Sequence, residues 1–216
     1  QQTNIRASKL LAKYSAAIGA KIIYISTDLI FDGKAPPYSE KDRPNPLSFY
    51  GWSKRQAELA VAAANPNHII ARPAIMYGPP AISGTSFSEW MRDFWQNQKT
   101  TKLFTDQFRT PIYAGNLAQA VLELAEHSFT GIIHIAGSER IDRYQFGLLL
   151  AHRLNRDEKY IQPVQMKDIS LPGVRPADVS LQIDLARKIL KTKLLDCKAG
   201  IQAAYGNKNK QTFLST

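Results

Sequence analysis

The sequence predicts an α/β fold with a partial, doubly wound parallel sheet and a smaller C-terminal lobe. Three short apolar runs rich in isoleucine alternate with helical segments of ten or more residues, a pattern typical of parallel strands buried between helices. These runs are Lys21–Ser26, His68–Arg72 and Gly131–Ala136. The irregular segment Met166–Ala177 indicates that long insertions build the smaller lobe.

The N-terminal elements can be placed from periodicity and breakers. Apolar residues at helical spacing predict a first helix over Gln2–Ile18, and Gly19 stands where it can end that helix. A loop rich in proline follows the first strand. The second helix then starts at Asn45–Pro46 or at Ser48 and runs to about Ala64, where an Asn-Pro-Asn turn closes it.

The remaining elements follow the same reasoning. A short extended segment is expected at Leu103–Phe104. Further helices are predicted at Thr85–Gln98, Leu117–His127, Tyr144–Leu154 and Asp184–Leu190.

Composition restricts the class of partner. The net charge of +10 suits an anionic partner, but the basic residues form no stripe of the kind that nucleic-acid binders show. No apolar run reaches the roughly 18–20 residues of a membrane span. The single cysteine, Cys197, excludes an internal disulfide and favours a reducing, cytoplasmic compartment. The four histidines have no metal-ligand spacing with one another or with Cys197, so we expect no metal.

Three residues together suggest carbonyl chemistry. Tyr50 and Lys54 are four apart on the second helix, hence on one face, although this spacing alone is weak evidence. Thr27 follows the first strand, at the sheet edge where open α/β folds bind ligands. A hydroxyl there can polarise a carbonyl, and a phenol can exchange the proton if a nearby cation lowers its pKa from about 10. The set therefore suits reduction of a ketone.

The surrounding residues carry a specific resemblance. The run from Ser26 to Lys54 reads STDLIFDGKAPPYSEKDRPNPLSFYGWSK. It resembles the signature of the dTDP-4-dehydrorhamnose reductase family, extended short-chain dehydrogenases that typically show S-T-D-x-x-F-D-G, P-Y-x-E and P-x-x-x-Y-G-x-S-K. The resemblance covers about residues 4–190. Further matches to the family follow in order, and these are Arg72 with Tyr77 and Gly78, Asp106-Gln107-x-x-Thr110-Pro111, Asn116-Leu117-Ala118, His134-x-x-Gly137 and Arg175-Pro176-x-Asp178-x-Ser180-Leu181.

The resemblance implies a role for each matching residue. Thr27 would bind the substrate carbonyl, Tyr50 would donate the proton, and Lys54 would hold the nicotinamide ribose and lower the phenol's pKa. The backbone around Ser26 and over Arg72–Ala74, including Pro73, would face the nicotinamide. The nucleotide-sugar side would be formed by Gln107, Arg109, Thr110 and Arg175. Two interpretations stay open for Arg109 and Arg175. Each guanidinium could pair with the pyrophosphate of the ligand, or each could form a salt bridge at the surface or between lobes.

The resemblance also implies a domain division and a missing part. Residues 1–78 would form the C-terminal half of a Rossmann-like NADP-binding domain with the Tyr/Lys helix. Residues 79–216 would hold the substrate-binding lobe, with about 105–136 returning to the sheet. The glycine-rich turn that opens such domains does not occur in this sequence. We therefore expect roughly 80 further residues, two to three strand–helix units, before Gln1.

The expected function is NADP(H)-dependent reduction of a 4-keto nucleotide-sugar, with NAD as the alternative cofactor. Rhamnose-pathway reductases have T-S-W after the strand that ends in arginine, whereas this chain has Pro73-Ala74-Ile75, which leaves the sugar open. One alternative is a non-catalytic, NADP-binding regulatory subunit like that of methionine adenosyltransferase, which shares Phe31-Asp32-Gly33 and the Tyr/Lys spacing. Another is a nucleotide-sugar epimerase or dehydratase, disfavoured because Leu29 stands where dehydratases carry an acid. A homodimer is left open.

Overall fold

The computed structural model describes residues 2–80, 85–170 and 173–206. In chain order the helices are α1 (Ser8–Ala17), α2 (Phe49–Ala64), α3 (Phe87–Gln96), α4 (Ala114–Glu126), α5 (Arg143–Arg153), α6 (Asp184–Ile189) and α7 (Cys197–Tyr205). The strands are β1 (Ile22–Ile25), β2 (His68–Pro73), β3 (Met76–Tyr77), β4 (Thr101–Phe104), β5 (Phe108–Arg109), β6 (Ile112–Tyr113), β7 (Gly131–Ile135), β8 (Ile141–Asp142) and β9 (Ile161–Val164). Within these ranges no helix is both long and apolar enough to cross a membrane.

The three predicted strands form one parallel sheet in the order β1–β2–β7. Ile23 of β1 pairs with Ile69 of β2, and Ile69 stands opposite Gly131 of β7. Helix α2 connects β1 to β2, as parallel pairing requires a crossover. The carboxyl ends of β1 and β2 therefore meet at the same edge of the sheet.

Alternating side chains bury both faces of the sheet. Ile69 joins the cluster that contains Leu124 of α4, together with residues of α6. Its neighbour Ile70 points the other way and packs with Ala12 of α1 and Val61 of α2. Successive residues of a strand point to opposite faces of the sheet. A run of consecutive apolar residues is therefore buried only if helices cover both faces. The doubly wound α/β class is thereby confirmed.

A second apolar cluster lies in the later part of the chain. It combines side chains from α3, α5 and α7 with residues of β4 and β9, which pair in parallel. Its buried members include Met91, Trp95, Leu103, Phe146, Leu150, Ile161 and Ile201. Such a separate core is what a smaller lobe needs. The division at residue 78 stays a prediction.

Most element positions match the sequence prediction. Helix α2 starts after Ser48, whose hydroxyl accepts a hydrogen bond from the Gly51 amide at 3.1 Å, so the second of the two proposed starts is correct. Gly19 has φ +68°, as a helix-ending residue requires. The elements that were not predicted are helix α7, strand β9 and the two-residue strands β3, β5, β6 and β8. The apolar residues of α7 and β9 are used in lobe packing and form no clear local pattern.

Candidate active site

A cleft of about 810 Å³ opens at the carboxyl ends of β1 and β2. The first turn of α2 and the first residue of α5 reach into its wall, together with the loops that follow the two strands. Its lining includes Ser26, Thr27, Asp28, Leu29, Ser48, Phe49, Tyr50, Pro73, Ala74, Ile75, Met76, Phe87, Gln107, Arg109, Arg143 and Arg175. Strand ends of an open sheet are the usual ligand-binding edge of α/β folds.

Thr27 is held in the cleft wall directly after β1. Its hydroxyl accepts a hydrogen bond from the Leu29 amide at 3.3 Å and donates one to Asp28 Oδ1 at 3.2 Å. The first bond caps the short 3₁₀ turn Asp28–Ile30. These two bonds hold the Thr27 side chain in the cleft wall, and its contact with a substrate carbonyl stays a prediction.

Tyr50 faces the same cleft from the first turn of α2, with 49% of its surface exposed. Partial burial raises the pKa of the phenol, the Thr27 side chain acts in the opposite direction, and the negative charge of Asp28 raises it further. Helix and loop approach closely here, since a Cβ on Gly51 would lie 2.2 Å from the Leu29 carbonyl oxygen. Glycine at this position therefore permits the close approach of α2 to the loop that carries Thr27.

Lys54 lies one helical turn beyond Tyr50 but contacts the sheet. Its ammonium donates a hydrogen bond to the Ile25 carbonyl at 2.5 Å and stands 4.3 Å from the centre of the Tyr24 ring. Burial lowers the pKa of Lys54, and the Glu58 carboxylate opposes that shift. Burial has the largest effect on the phenol and raises the pKa of Tyr50. A lowering of this pKa by Lys54 stays a prediction.

Ser26 and Arg72 lie on the inner side of the site. The Arg72 guanidinium is fully buried and forms two hydrogen bonds to Glu58, and Ser26 donates its hydroxyl to the same carboxylate at 2.5 Å. Arg72 does not line the cleft, whereas Ser26 and Pro73 do. The side chain of Arg72 is thus used in the core, and contact with a cofactor would come from backbone at this strand end, as the resemblance implied.

Arg109 and Thr110 serve mainly to hold loops together. Arg109 is 3% exposed, donates hydrogen bonds to the carbonyls of Phe108, Pro176 and Ala177, and has its Nε 3.8 Å from Asp28 Oδ2. The Thr110 hydroxyl accepts a bond from the Leu181 amide, and Thr110 lies outside the cleft lining. The substrate contact expected of Thr110 stays a prediction. For Arg109 the geometry matches the salt-bridge alternative, although it lines the cleft.

Gln107 and Arg175 both line the cleft, and their contact with a nucleotide-sugar stays a prediction. Gln107 is buried, and its side-chain oxygen accepts a hydrogen bond from Arg143 Nε at 3.1 Å. Arg175 is exposed to solvent. Arg143 is a cleft residue that sequence reasoning missed, because Gln107 and Phe87, which hold its guanidinium there, are distant in sequence. The predicted helix also began one residue later. The signal available was Asp142, whose side chain accepts a hydrogen bond from the Gln145 amide and so marks Arg143 as the first helical residue.

Asp28 is the second residue that was missed as a site group. Its carboxylate lines the cleft, is 4% exposed, and its Oδ2 accepts no hydrogen bond from the described residues. Burial raises the pKa of Asp28, while Arg109 and then Arg143 oppose that shift. The adjacent Ser-Thr-Asp sequence was the available signal.

Comparison with known proteins agrees with this architecture. Residues 1–209 match the family model described as the RmlD substrate binding domain. The chain is similar to crystal structures of dTDP-4-dehydrorhamnose reductases. The enzyme from Clostridium acetobutylicum superimposes with a TM-score of 0.86 at 29% identity, and the match covers 93% of this chain and 70% of that chain. The enzyme from Bacillus anthracis in complex with NADP also superimposes with a TM-score of 0.86, at 24% identity, and the match covers 94% of this chain and 71% of that chain.

Two curated relatives point to different activities. The chain is 32% identical over 190 residues to methionine adenosyltransferase 2 subunit beta of Xenopus tropicalis, covering 85% of this chain and 56% of that protein. It is 32% identical over 202 residues to dTDP-4-dehydrorhamnose reductase of Sinorhizobium fredii, covering 85% and 65%. The chain thus spans a little over half to about two thirds of the length of these relatives. The matched family model and the shared fold show that this chain belongs to the RmlD substrate-binding-domain family.

Proposed function

We propose that the natural protein containing this chain is a nicotinamide-dependent reductase that uses NADPH to reduce the 4-keto group of a nucleotide-sugar. One observation carries the proposal: Thr27 and Tyr50 line one cleft from two different elements, and Lys54 follows Tyr50 by one helical turn. This arrangement places a hydroxyl that can polarise a carbonyl beside a phenol that can protonate it.

The titration behaviour of Tyr50 suits a proton donor. Burial raises the pKa of the phenol, so it is protonated at neutral pH and can supply a proton to a developing alkoxide. Once the proton has left, the phenolate needs a cation. Lys54 is the candidate on the same helix face. The half-buried Lys54 donates a hydrogen bond at the edge of the sheet, so its positive charge lies near the cleft that contains Tyr50.

The residues present fit the nicotinamide end of a dinucleotide. Lys54 donates a hydrogen bond to the Ile25 carbonyl at the end of β1, so its ammonium lies near the strand ends where such a ligand would bind. Tyr50 and Lys54 would hold the ribose, and backbone at Ser26 and Pro73 would flank the ring. When bound, the cofactor supplies a hydride to the carbonyl carbon. The chain's own residues bind the carbonyl oxygen and deliver the proton.

The charge of the cleft supports an anionic substrate. Arg109, Arg143 and Arg175 line it, against the single carboxylate of Asp28 among the described lining residues. A diphosphate-linked sugar would place negative charge close to guanidinium groups, which bind phosphate well. Ile75 stands where rhamnose-pathway reductases have tryptophan, so we propose the substrate class without a particular sugar.

The test is NADPH oxidation by the full-length protein with dTDP-4-dehydro-sugars, followed at 340 nm, for wild type and Tyr50→Phe. We expect a fall in kcat of at least about 100-fold in the variant, with an NADPH dissociation constant within about twofold of wild type. Tyr14→Phe, which changes an exposed tyrosine of α1 outside the cleft, is the matched control and should keep full activity. Full turnover by Tyr50→Phe would remove Tyr50 from the chemistry.

A second candidate is a regulatory subunit that binds NADP without turnover. The similarity to methionine adenosyltransferase 2 subunit beta favours it. Size-exclusion chromatography with a methionine adenosyltransferase catalytic subunit separates the two proposals. A stable complex together with no NADPH oxidation on any 4-keto nucleotide-sugar would favour the regulatory role. Turnover without a complex would favour the reductase.

A further inference from the structure

Arg143 is held by two neighbours at the wall of the cleft. Its Nε donates a hydrogen bond to Gln107 Oε1 at 3.1 Å, and its guanidinium carbon lies 4.4 Å from the centre of the Phe87 ring. Gln107 and Phe87 also line the cleft. A guanidinium that is stacked on an aromatic ring and anchored at Nε has little rotational freedom left, so it is preorganised for a ligand.

One end of this guanidinium has no protein partner. Nη1 of Arg143 is buried and makes no hydrogen bond to any residue in the described ranges. Burial lowers the pKa of Arg143 to about 9, Arg109 lowers it as well, and Asp28 acts in the opposite direction. Leaving a buried charged donor without a partner is costly, so proteins satisfy such groups with a ligand, an ion or water.

The other cations of the cleft are less suited to bind a ligand. Arg109 uses its guanidinium on three backbone carbonyls and lies near Asp28. Arg175 is exposed, so water competes for its charge. Within the described lining, Asp28 is the sole carboxylate, and its nearest cation is Arg109 rather than Arg143. Arg143 therefore combines a fixed position with an unused donor.

We propose that Arg143 is a specificity-determining residue that binds an oxyanion of the substrate through its free Nη1. The oxyanion is either the diphosphate of a nucleotide-sugar or a carboxylate on the sugar itself, since both present the oxygen pair that a guanidinium fork recognises. The proposal rests on the proposed function for the general class of ligand, and it requires no turnover.

The test measures binding rather than catalysis. Isothermal titration calorimetry on the full-length protein, without cofactor, compares UDP, dTDP, UDP-glucose and UDP-glucuronate as probes. The variants are Arg143→Gln, which removes the charge, and Arg143→Lys, which keeps the charge but loses the fork. Arg187→Gln is the control for overall charge, since Arg187 is an exposed residue of α6 outside the cleft. Circular dichroism and thermal melting verify that each variant is folded.

We expect Arg143→Gln to weaken binding at least about tenfold, Arg143→Lys to lie between it and wild type, and Arg187→Gln to match wild type. A loss with all four probes would identify the diphosphate as the oxyanion. A loss confined to UDP-glucuronate would identify the sugar carboxylate. Unchanged affinities in both folded Arg143 variants, or no binding of any probe to wild type, would overturn the proposal. Arg143-dependent binding in a protein that reduces no keto-sugar would contradict the reductase proposal alone.

Discussion

Glu58 and Arg72 form a two-point ion pair behind the cleft, with Arg72 Nε 2.9 Å from Glu58 Oε1 and Nη2 2.8 Å from Oε2. Both side chains are 1% exposed. Glu58 also accepts the Ser26 hydroxyl and lies on the same helix as Tyr50, two turns further along. The pair thus joins α2 to β2 and fixes the element that carries the candidate proton donor.

Replacing Arg72 with methionine should be strongly destabilising. The Glu58 carboxylate would stay buried without its main partner, and breaking a buried pair from one side costs about 3–5 kcal/mol. Urea unfolding gives the change in the free energy of unfolding. Arg55→Met is the matched control, because Arg55 pairs with the same carboxylate from a more exposed position, and it should cost less than about 1 kcal/mol. Equal effects in the two variants would show that burial is not what makes the Arg72 pair important.

Replacing Lys54 with methionine tests the proposed cofactor contact. We expect the NADPH dissociation constant of the full-length protein to rise about tenfold or more, because a charge-assisted hydrogen bond to the ribose would be lost. Fluorescence titration with NADPH measures it. Lys41→Met, which changes an exposed lysine, should leave the affinity as in wild type. An unchanged dissociation constant in Lys54→Met would confine Lys54 to its hydrogen bond with Ile25.

Replacing Gly51 with alanine should affect both stability and turnover. The added Cβ would lie 2.2 Å from the Leu29 carbonyl oxygen, so the loop after β1 must move away from α2. Such overpacking costs about 1–3 kcal/mol, and here it would also separate Tyr50 from Thr27. Urea unfolding and NADPH oxidation measure the two effects.

Gly147→Ala is the matched control for that variant. Its Cβ would lie equally close to a neighbour, 2.2 Å from Leu103 Cδ1, but that neighbour is the end of a flexible side chain in the lobe core. We expect a loss of stability with kcat unchanged. A fall in kcat as large as that of Gly51→Ala would mean that reduced stability, and not displacement of the Thr27 loop, explains both.

His134 should make the protein less stable as the pH falls below neutrality. Burial, and then the positive charge of Arg72, lowers the pKa of His134 to about 4, below the ordinary value of 6.5. Between pH 6.5 and about 4 the unfolded chain therefore binds a proton at His134 and the folded protein does not. The contribution of neutral His134 to stability is complete above pH 6.5 and is lost as the pH falls towards 4. Between pH 7 and pH 5 we expect a loss of about 2 kcal/mol from this group.

Urea unfolding of wild type and His134→Asn at the two pH values isolates that contribution. The variant should be less sensitive to the change of pH by about the same amount. His152→Asn, which removes an exposed histidine, should retain the wild-type dependence. An identical pH dependence in His134→Asn would mean that other groups account for the loss.

The sequence by itself determined the sheet and the Tyr/Lys helix. The strands at Ile22, His68 and Gly131 stand out because buried parallel strands need unbroken apolar runs. Ser48 was one of two starts that the sequence offered for α2, and its cap hydrogen bond in the structure decided between them. Tyr50 and Lys54 share a helix face by spacing alone. Local patterns of this kind depend on neighbours within a few residues, so the chain order suffices to find them.

Only the tertiary structure decided how the charged residues are used. Arg72 turns to Glu58 in the core, and Arg109 binds the carbonyls of Pro176 and Ala177, more than 60 residues away. Arg143 reaches the cleft because Gln107 and Phe87, distant in sequence, hold its guanidinium there. The partner of a buried charge is set by which loops meet, and no residue spacing along the chain specifies that meeting.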